Sequence, residues 1–228
     1  RIFEKMIKIN RRSIILNIYF FVTRYFEFLF FLFLKYRLIK GKEDKVRFLE
    51  RKGISRLSRP LSYLIWFNAS SVGEALSILY LIEKLGKKNK KLKFLITTTT
   101  ISSSLILKKM MPINCIHQFS PIDTFSATKN FLDHWKPDLV IFVESEFWPR
   151  LIFEIKKQHI PLGLINARME TKTFENWFKI KITSKQILDK FDFVYANDHL
   201  TAKRLLSLGI TKKKLLGVVS SKEQGLPL

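Results

Sequence analysis

Between residues 63 and 220 the sequence predicts an α/β domain built on a doubly wound parallel sheet. Three observations predict it. Seven short apolar runs recur: Leu64–Asn68, Lys93–Thr98, Cys115–Phe119, Leu139–Val143, Leu162–Asn166, Phe193–Ala196 and Leu215–Val219. Helical segments near 74–86, 101–111, 124–134, 150–158, 173–189 and 198–208 separate them, which is the spacing of βαβ units. Runs such as Leu139-Val140-Ile141-Phe142-Val143 are apolar at every position, as in a strand covered on both faces. Together these describe a Rossmann-like sheet.

Ahead of this domain, residues 1–40 read as a hydrophobic membrane-anchor helix and residues 41–62 as a basic connector with a helix over Glu43–Gly53. Residues 14–34 are aliphatic and aromatic apart from a few polar positions, and one helix of that length crosses a bilayer core. Arg24 and Glu27 are costly at mid-bilayer. On a helical wheel they share a face with Asn17, and Ser13 and Lys35 extend the stripe. A narrow polar seam on an apolar helix fits an interfacial anchor or a helix packed seam-inward. Lys8, Arg11 and Arg12 precede the run, and Lys35, Arg37, Lys40 and Lys42 follow it, so flanking charge assigns no orientation. No small-residue cleavage site follows, which argues against a secretory signal. The chain begins with Arg1, and Met6 offers a more natural start.

With 47% hydrophobic residues the chain affords a substantial core, and disorder is excluded. A formal charge of +22 calls for an anionic partner, either nucleic acid or an anionic membrane. Part of that excess reflects a general Lys-, Ile- and Phe-rich composition. The basic residues are dispersed and form no nucleic-acid motif, which favours the membrane. The single cysteine, Cys115, excludes an internal disulfide and reads as a buried core thiol. The scattered histidines offer no metal site.

Chemistry collects at the carboxyl ends of the predicted strands, where ligands bind in doubly wound sheets. Ser70-Ser71-Val72-Gly73-Glu74 links the first strand to the first helix. Gly73 permits close backbone approach to a ligand, and the helix start favours an anion. Glu74 reads either as an acid serving chemistry or as a carboxylate complementing the helix dipole. Glu144-Ser145-Glu146-Phe147-Trp148-Pro149 follows the fourth strand, with Pro149 in the first helical turn and one of the two acids placed to cap that helix. In a sheet ordered 3-2-1-4-5-6, Glu74 and Glu144 line one crevice. Arg168, after Asn166-Ala167, sits on the same rim and suits a phosphate or carboxylate, or stands as a solvated loop residue. Thr97–Thr100 with Ser102–Ser104 form a hydroxyl-rich turn that suits a helix N-cap. His117, inside a strand, reads as packed.

Four strings in this order, Trp66-Phe67-Asn68-Ala69-Ser70-Ser71-Val72-Gly73-Glu74, Thr97-Thr98-Thr99-Thr100, Val143-Glu144-Ser145-Glu146-Phe147-Trp148-Pro149 and Asn166-Ala167-Arg168, resemble the 3-deoxy-D-manno-octulosonic acid (Kdo) transferases of lipopolysaccharide synthesis. The resemblance covers about residues 40–215 and includes the N-terminal anchor. It implies the N-terminal half of a GT-B glycosyltransferase, which meets a lipid A precursor at the inner membrane while a C-terminal domain holds CMP-Kdo. The implied reaction is inverting and uses no metal or cofactor. Glu74 matches the acid that takes the acceptor hydroxyl's proton, and Glu144 matches a second essential acid in a supporting role. Ser71, Gly73, Thr99, Glu146 and Arg168 are then expected on the substrate side. Two departures stand out. Ser102-Ser103 replaces Thr-Gly, and the last strand continues Gly217-Val218-Val219-Ser220-Ser221-Lys222 into a short tail, 221–228, with no donor domain after it. A competing reading is a non-catalytic, basic, membrane-bound lipid-binding module, a decayed transferase.

Overall fold

A computed structural model describes residues 12–218. The expected start near Met6, the end of the last predicted run at Val219 and the 221–228 tail lie outside the described residues. Seven strands form one parallel sheet in the order β3-β2-β1-β4-β5-β6-β7. They are β1 Leu64–Asn68, β2 Lys93–Thr98, β3 Cys115–Phe119, β4 Leu139–Val143, β5 Leu162–Ala167, β6 Phe193–Ala196 and β7 Leu215–Val218. The predicted runs match these strands, β5 being one residue longer and β7 described to Val218. β1 pairs with both β2 and β4, which makes it the switch point of a Rossmann-like sheet.

Helices cover both faces. α3 (Val72–Lys88) and α4 (Ile101–Met110) pack on one face over Phe67, Phe94 and Ile96. α5 (Phe125–Trp135), α6 (Pro149–Lys157), α7 (Thr171–Lys179), α8 (Lys181–Leu188) and α9 (His199–Leu208) belong to the other side, where Trp66, Phe131, Trp135 and Phe142 are fully buried. The uninterrupted pattern over 173–189 predicts one helix. The chain instead breaks at Ile180 (φ −113°, ψ 39°), and the Ser184 hydroxyl donates to the Trp177 carbonyl across the break.

The single helix expected over 14–34 is replaced by two, α1 (Ile14–Tyr25) and α2 (Glu27–Ile39), bent by 67° at Phe26. No single helix among the described residues is long and apolar enough to cross a membrane; the bent pair meets the length and composition test only jointly. The bend has a tertiary cause. The Glu27 carboxylate accepts from the Ser126 N–H at 2.7 Å and from the Ser126 hydroxyl, supplying acceptors at the start of α5, while Arg24 lies 4.4 Å over the Phe125 ring. Ser13 caps α1 and reaches Thr183 and Gln186 of α8. Leu16, Phe20 and Thr23 are buried against the domain, whereas Asn17 turns back to the Arg12 carbonyl. The seam therefore packs inward in part, and a continuous row remains exposed: Ile14, Ile18, Phe21, Phe28, Leu32 and Phe33 are each about half exposed or more.

The stretch expected to be a helix over Glu43–Gly53 forms only a short 3-10 turn, Phe48–Lys52. Its own backbone bonds, such as Gly53 N–H to the Glu50 carbonyl at 2.9 Å, are supplemented by polar contacts to the edge strand β3. Glu50 accepts from the Phe119 N–H at 2.8 Å, Arg51 donates to the Ser120 carbonyl, and buried Glu43 pairs with Arg37 at 2.6 Å and Arg51 at 3.4 Å. These contacts satisfy an edge that is otherwise open to pairing. Gly53 (φ +75°) ends the turn so close to α5 that a Cβ would lie 2.1 Å from the Ala127 carbonyl oxygen.

Candidate active site

The crevice opens at the carboxyl ends of β1 and β4. Ser71 caps α3 by accepting from the Glu74 N–H at 3.2 Å, and Glu74 Oε2 accepts from the Ser70 N–H at 2.8 Å. This reciprocal pair fixes the carboxylate at the base of the turn. Thr99 donates to the Ser70 carbonyl at 2.8 Å and so ties the same turn to the end of β2. Beneath it, Thr97 joins Trp66 and Asn68, at 2.8 and 2.9 Å, into a buried polar layer. Gly73 is exposed, with nothing within 4 Å of the place a Cβ would take, so the backbone there is open to a ligand.

Glu74 is 8% exposed, and burial is the main cause that raises its pKa above the ordinary glutamate value. The Ser70 N–H and the Ser71 hydroxyl oppose that rise, and the nearby negative charges of Glu146 and Glu144 add to it. The helix start alone suggests a carboxylate that simply stays ionised; burial and two neighbouring acids instead make it a more basic group. Glu74 and Glu144 are thus brought to one mouth, as the strand order requires, and Glu146 joins them.

Glu144 adopts a left-handed backbone (φ +61°), and so does Asn166 (φ +51°) at the end of neighbouring β5. Asn166 Nδ2 donates to Glu144 Oε1 at 3.4 Å, and the Glu144 N–H donates to the Ile165 carbonyl at 3.0 Å. The Trp148 indole N–H donates to Glu146 Oε2, and the Ser145 hydroxyl to the Arg168 carbonyl. Arg168 is exposed on this rim, and among the described residues its guanidinium has no carboxylate partner. Asn166 and Trp148 therefore orient the acids, a role missed because both sit within strings whose carboxylates draw attention first.

Neither glutamate caps α6. That task falls to Asp123, from the loop after β3, which is fully buried and accepts from the N–H groups of Arg150 and Leu151 at 2.9 and 2.7 Å. The Tyr19 hydroxyl of α1 donates to the same carboxylate at 2.5 Å, and the Arg150 guanidinium binds the Phe20 carbonyl and Thr23 hydroxyl. The helix that follows the acidic loop is thereby clamped to the N-terminal helix. Its signal in sequence was faint: an Asp-Thr pair before a helix reads as a local cap.

Elsewhere the expectations divide. Thr100 caps α4 through the Ser103 N–H at 3.2 Å. His117 is packed. Arg47 donates to its Nδ1 at 3.0 Å, its Nε2 meets Thr98 at 2.9 Å, and burial with Arg47 lowers its pKa to about 3, which keeps it neutral. Cys115 is half-buried rather than buried, with its thiol raised to about 12 by burial. Among the described residues, no group of three His, Cys, Asp or Glu side chains could hold a metal ion.

Residues 44–223 match the family model for 3-deoxy-D-manno-octulosonic-acid transferases. The chain belongs to the Kdo transferase family. It is 38% identical over 213 residues to the transferase of that name from Rickettsia bellii, covering 93% of this chain and 51% of that protein. A probable mitochondrial member from Arabidopsis thaliana is 42% identical over 64% of this chain and 33% of its own length. The Haemophilus influenzae transferase is 29% identical over 78% of this chain and 42% of its own length. The chain thus spans about a third to a half of the length of these curated family members. Among solved structures, a UDP-GlcNAc 2-epimerase from Neisseria meningitidis aligns at 20% identity with a TM-score of 0.48, over 68% of this chain and 46% of that one.

Proposed function

We propose that this chain is the acceptor-binding part of a two-domain, GT-B-type transferase that moves Kdo from CMP-Kdo to a lipid A precursor (lipid IVA) in lipopolysaccharide core synthesis. The observation that carries the reading is Glu74: a buried carboxylate of raised basicity, fixed by its own turn, at a mouth shared with Glu144 and Glu146. As the acceptor sugar hydroxyl attacks the anomeric carbon of Kdo, Glu74 takes its proton and CMP departs from the opposite face, inverting that centre. Glu144, held by Asn166, supports the base from across the crevice. Ser71, Gly73, Thr99, Glu146 and Arg168 frame the acceptor, with Arg168 suited to an anionic group on it. The CMP-Kdo site falls mostly to the remainder of a full-length family member.

The reading places the protein on the cytoplasmic face of the bacterial inner membrane. The exposed apolar row on α1 and α2 and the net charge of +22 support an interfacial contact.

The test is Glu74→Gln in a full-length enzyme that includes this domain. Turnover at saturating acceptor is expected to fall roughly a hundredfold or more, with acceptor binding nearly intact. Unchanged turnover would refute the base assignment and leave Glu74 as a carboxylate that only complements the helix start. The 228-residue chain alone, given CMP-Kdo and tetra-acylated acceptor, is expected to yield no product. Membrane contact is better tested by Phe21→Asp and Leu32→Asp than by deleting residues 1–40, because deletion strips Asp123 and Arg150 of their α1 partners. Both exposed-row variants should move from the membrane pellet to the supernatant.

A further inference from the structure

A groove of about 730 Å³ runs between α1, α6 and α8, and none of the crevice residues lines it. Its floor is aromatic, formed by Phe20, Phe125 and Phe153. Its walls are basic. Several charges there are internally neutralised. Glu154 is shared by Arg150 at 3.5 Å and Lys157 at 3.8 Å, Lys156 pairs with Asp192 at 2.7 Å, and Asp189 pairs with Lys214 at 2.8 Å. Four cations remain with no carboxylate partner among the described residues: Arg12, Arg24, Lys185 and Lys190. Three of them rest on the floor, Arg24 at 4.4 Å from the Phe125 centroid, Lys190 at 4.8 Å from Phe153 and Arg12 at 4.9 Å from Phe20.

Like charges converging on one groove repel, so the arrangement gains most when an anion sits among them. The aromatic floor selects an anion with an apolar continuation. Arg12 and Arg24 lie on or beside α1, the helix whose outer row, Ile14, Ile18 and Phe21, is exposed. An anion held here therefore meets an apolar surface within the span of one helix.

We propose that this groove binds the phosphate headgroup of an anionic membrane phospholipid, at a site separate from the acceptor crevice. The proposal rests on the membrane-face reading above and gives it a defined contact. Seated there, the lipid phosphate faces Arg12, Arg24, Lys185 and Lys190, the glycerol backbone crosses the phenyl rings, and the acyl chains run out along the exposed row of α1. The protein then meets the membrane with α6 and α8 at headgroup level.

The experiment uses the whole 228-residue chain and phosphatidylcholine vesicles with or without a third of phosphatidylglycerol, at physiological ionic strength. Lys185→Gln with Lys190→Gln is compared with Lys88→Gln with Lys91→Gln, an equal charge change at exposed residues in and after α3, on the opposite face. The groove pair should lose about fivefold in affinity for anionic vesicles per lysine removed, the effect of one basic residue near such a surface. The remote pair should lose less than about twofold, because it lies beyond the screening length from the bound surface. Should the double variant fold poorly, Lys190→Gln alone, against Lys91→Gln, carries the comparison. Equal losses from both pairs would mean diffuse attraction and overturn the groove while leaving the membrane reading standing. Absence of binding to either vesicle would overturn both. Inorganic phosphate or glycerol phosphate that displaces the vesicles at low millimolar concentration would point to a soluble phosphate ligand, and tighter binding of duplex DNA through the same two lysines to a nucleic acid; either overturns the lipid assignment.

Discussion

Asp123 and Glu74 are both carboxylates buried at the carboxyl-terminal edge of the same sheet, yet their surroundings differ in kind. Asp123 receives its donors from two other elements, the Tyr19 hydroxyl of α1 and two N–H groups of α6. Glu74 receives its donors from its own turn and faces two further acids. A buried acid tied across the tertiary structure acts as a staple, because each donor it binds loses a partner when it goes. A buried acid tied only to its own loop and pressed by like charge is held ready to take a proton. The contrast separates a structural carboxylate from a chemical one without reference to any ligand.

The sharpest way to break this contrast is to remove each acid and compare stability. Asp123→Ala leaves a phenol and two helix-start N–H groups buried without an acceptor, at about 1–3 kcal/mol for each unsatisfied group, so a loss of roughly 3 kcal/mol or more is expected in urea denaturation. Tyr19→Phe removes only one donor and should cost about 1.5–3 kcal/mol, since hydrogen bonds to charged groups lie in that range. Glu74→Gln should change stability by about 1 kcal/mol or less at neutral pH, because the helix start favours the charge while burial opposes it. The sign of the Glu74 effect follows from its raised pKa. Folding favours its protonated form, so the stability it contributes is present at low pH and falls as pH rises from the ordinary glutamate value toward the raised one. Glu74→Gln should abolish that slope. A Glu74 variant as destabilised as Asp123→Ala would erase the distinction.

The two carboxylates were not equally legible in the sequence. Glu74 could be placed because strands announce themselves by continuous apolar runs, and a doubly wound order then fixes which ends are neighbours. Glu144 and Arg168 followed from the same reasoning. Asp123 could not be placed, because its partners Tyr19 and Arg150 are 104 and 27 residues away in the chain and no local period links them. The bend at Phe26 and the break at Ile180 escaped for a related reason. Helical periodicity continues through both, and the competing interactions, Glu27 with Ser126 and Ser184 with Trp177, exist only once the helices have packed. The turn at Phe48–Lys52 likewise depends on Glu50 finding the edge of β3. Local pattern described the sheet and its mouth, whereas contacts between distant elements decided how the N-terminal helices attach.

The smallest expected effect sharpens the comparison most, because it isolates like charge from burial. Burial is the leading cause of the raised Glu74 pKa, and Glu146 contributes more than Glu144 among the neighbouring charges. Glu146→Gln removes that charge, while its amide oxygen can still accept from the Trp148 indole, so the loop geometry is kept. The Glu74 midpoint, followed by carboxyl carbon NMR on the 228-residue chain, should therefore move down, yet stay above the ordinary glutamate value because burial persists. Glu144→Gln should move it in the same direction by less. In a full-length enzyme the acid limb of the pH–rate profile should follow, extending activity to lower pH, since a general base of lower pKa remains ionised further into acid. A titration of Glu74 unmoved by either substitution would show that the three acids do not share one field. The crevice would then hold a single buried glutamate, distinguished from Asp123 only by its fewer donors.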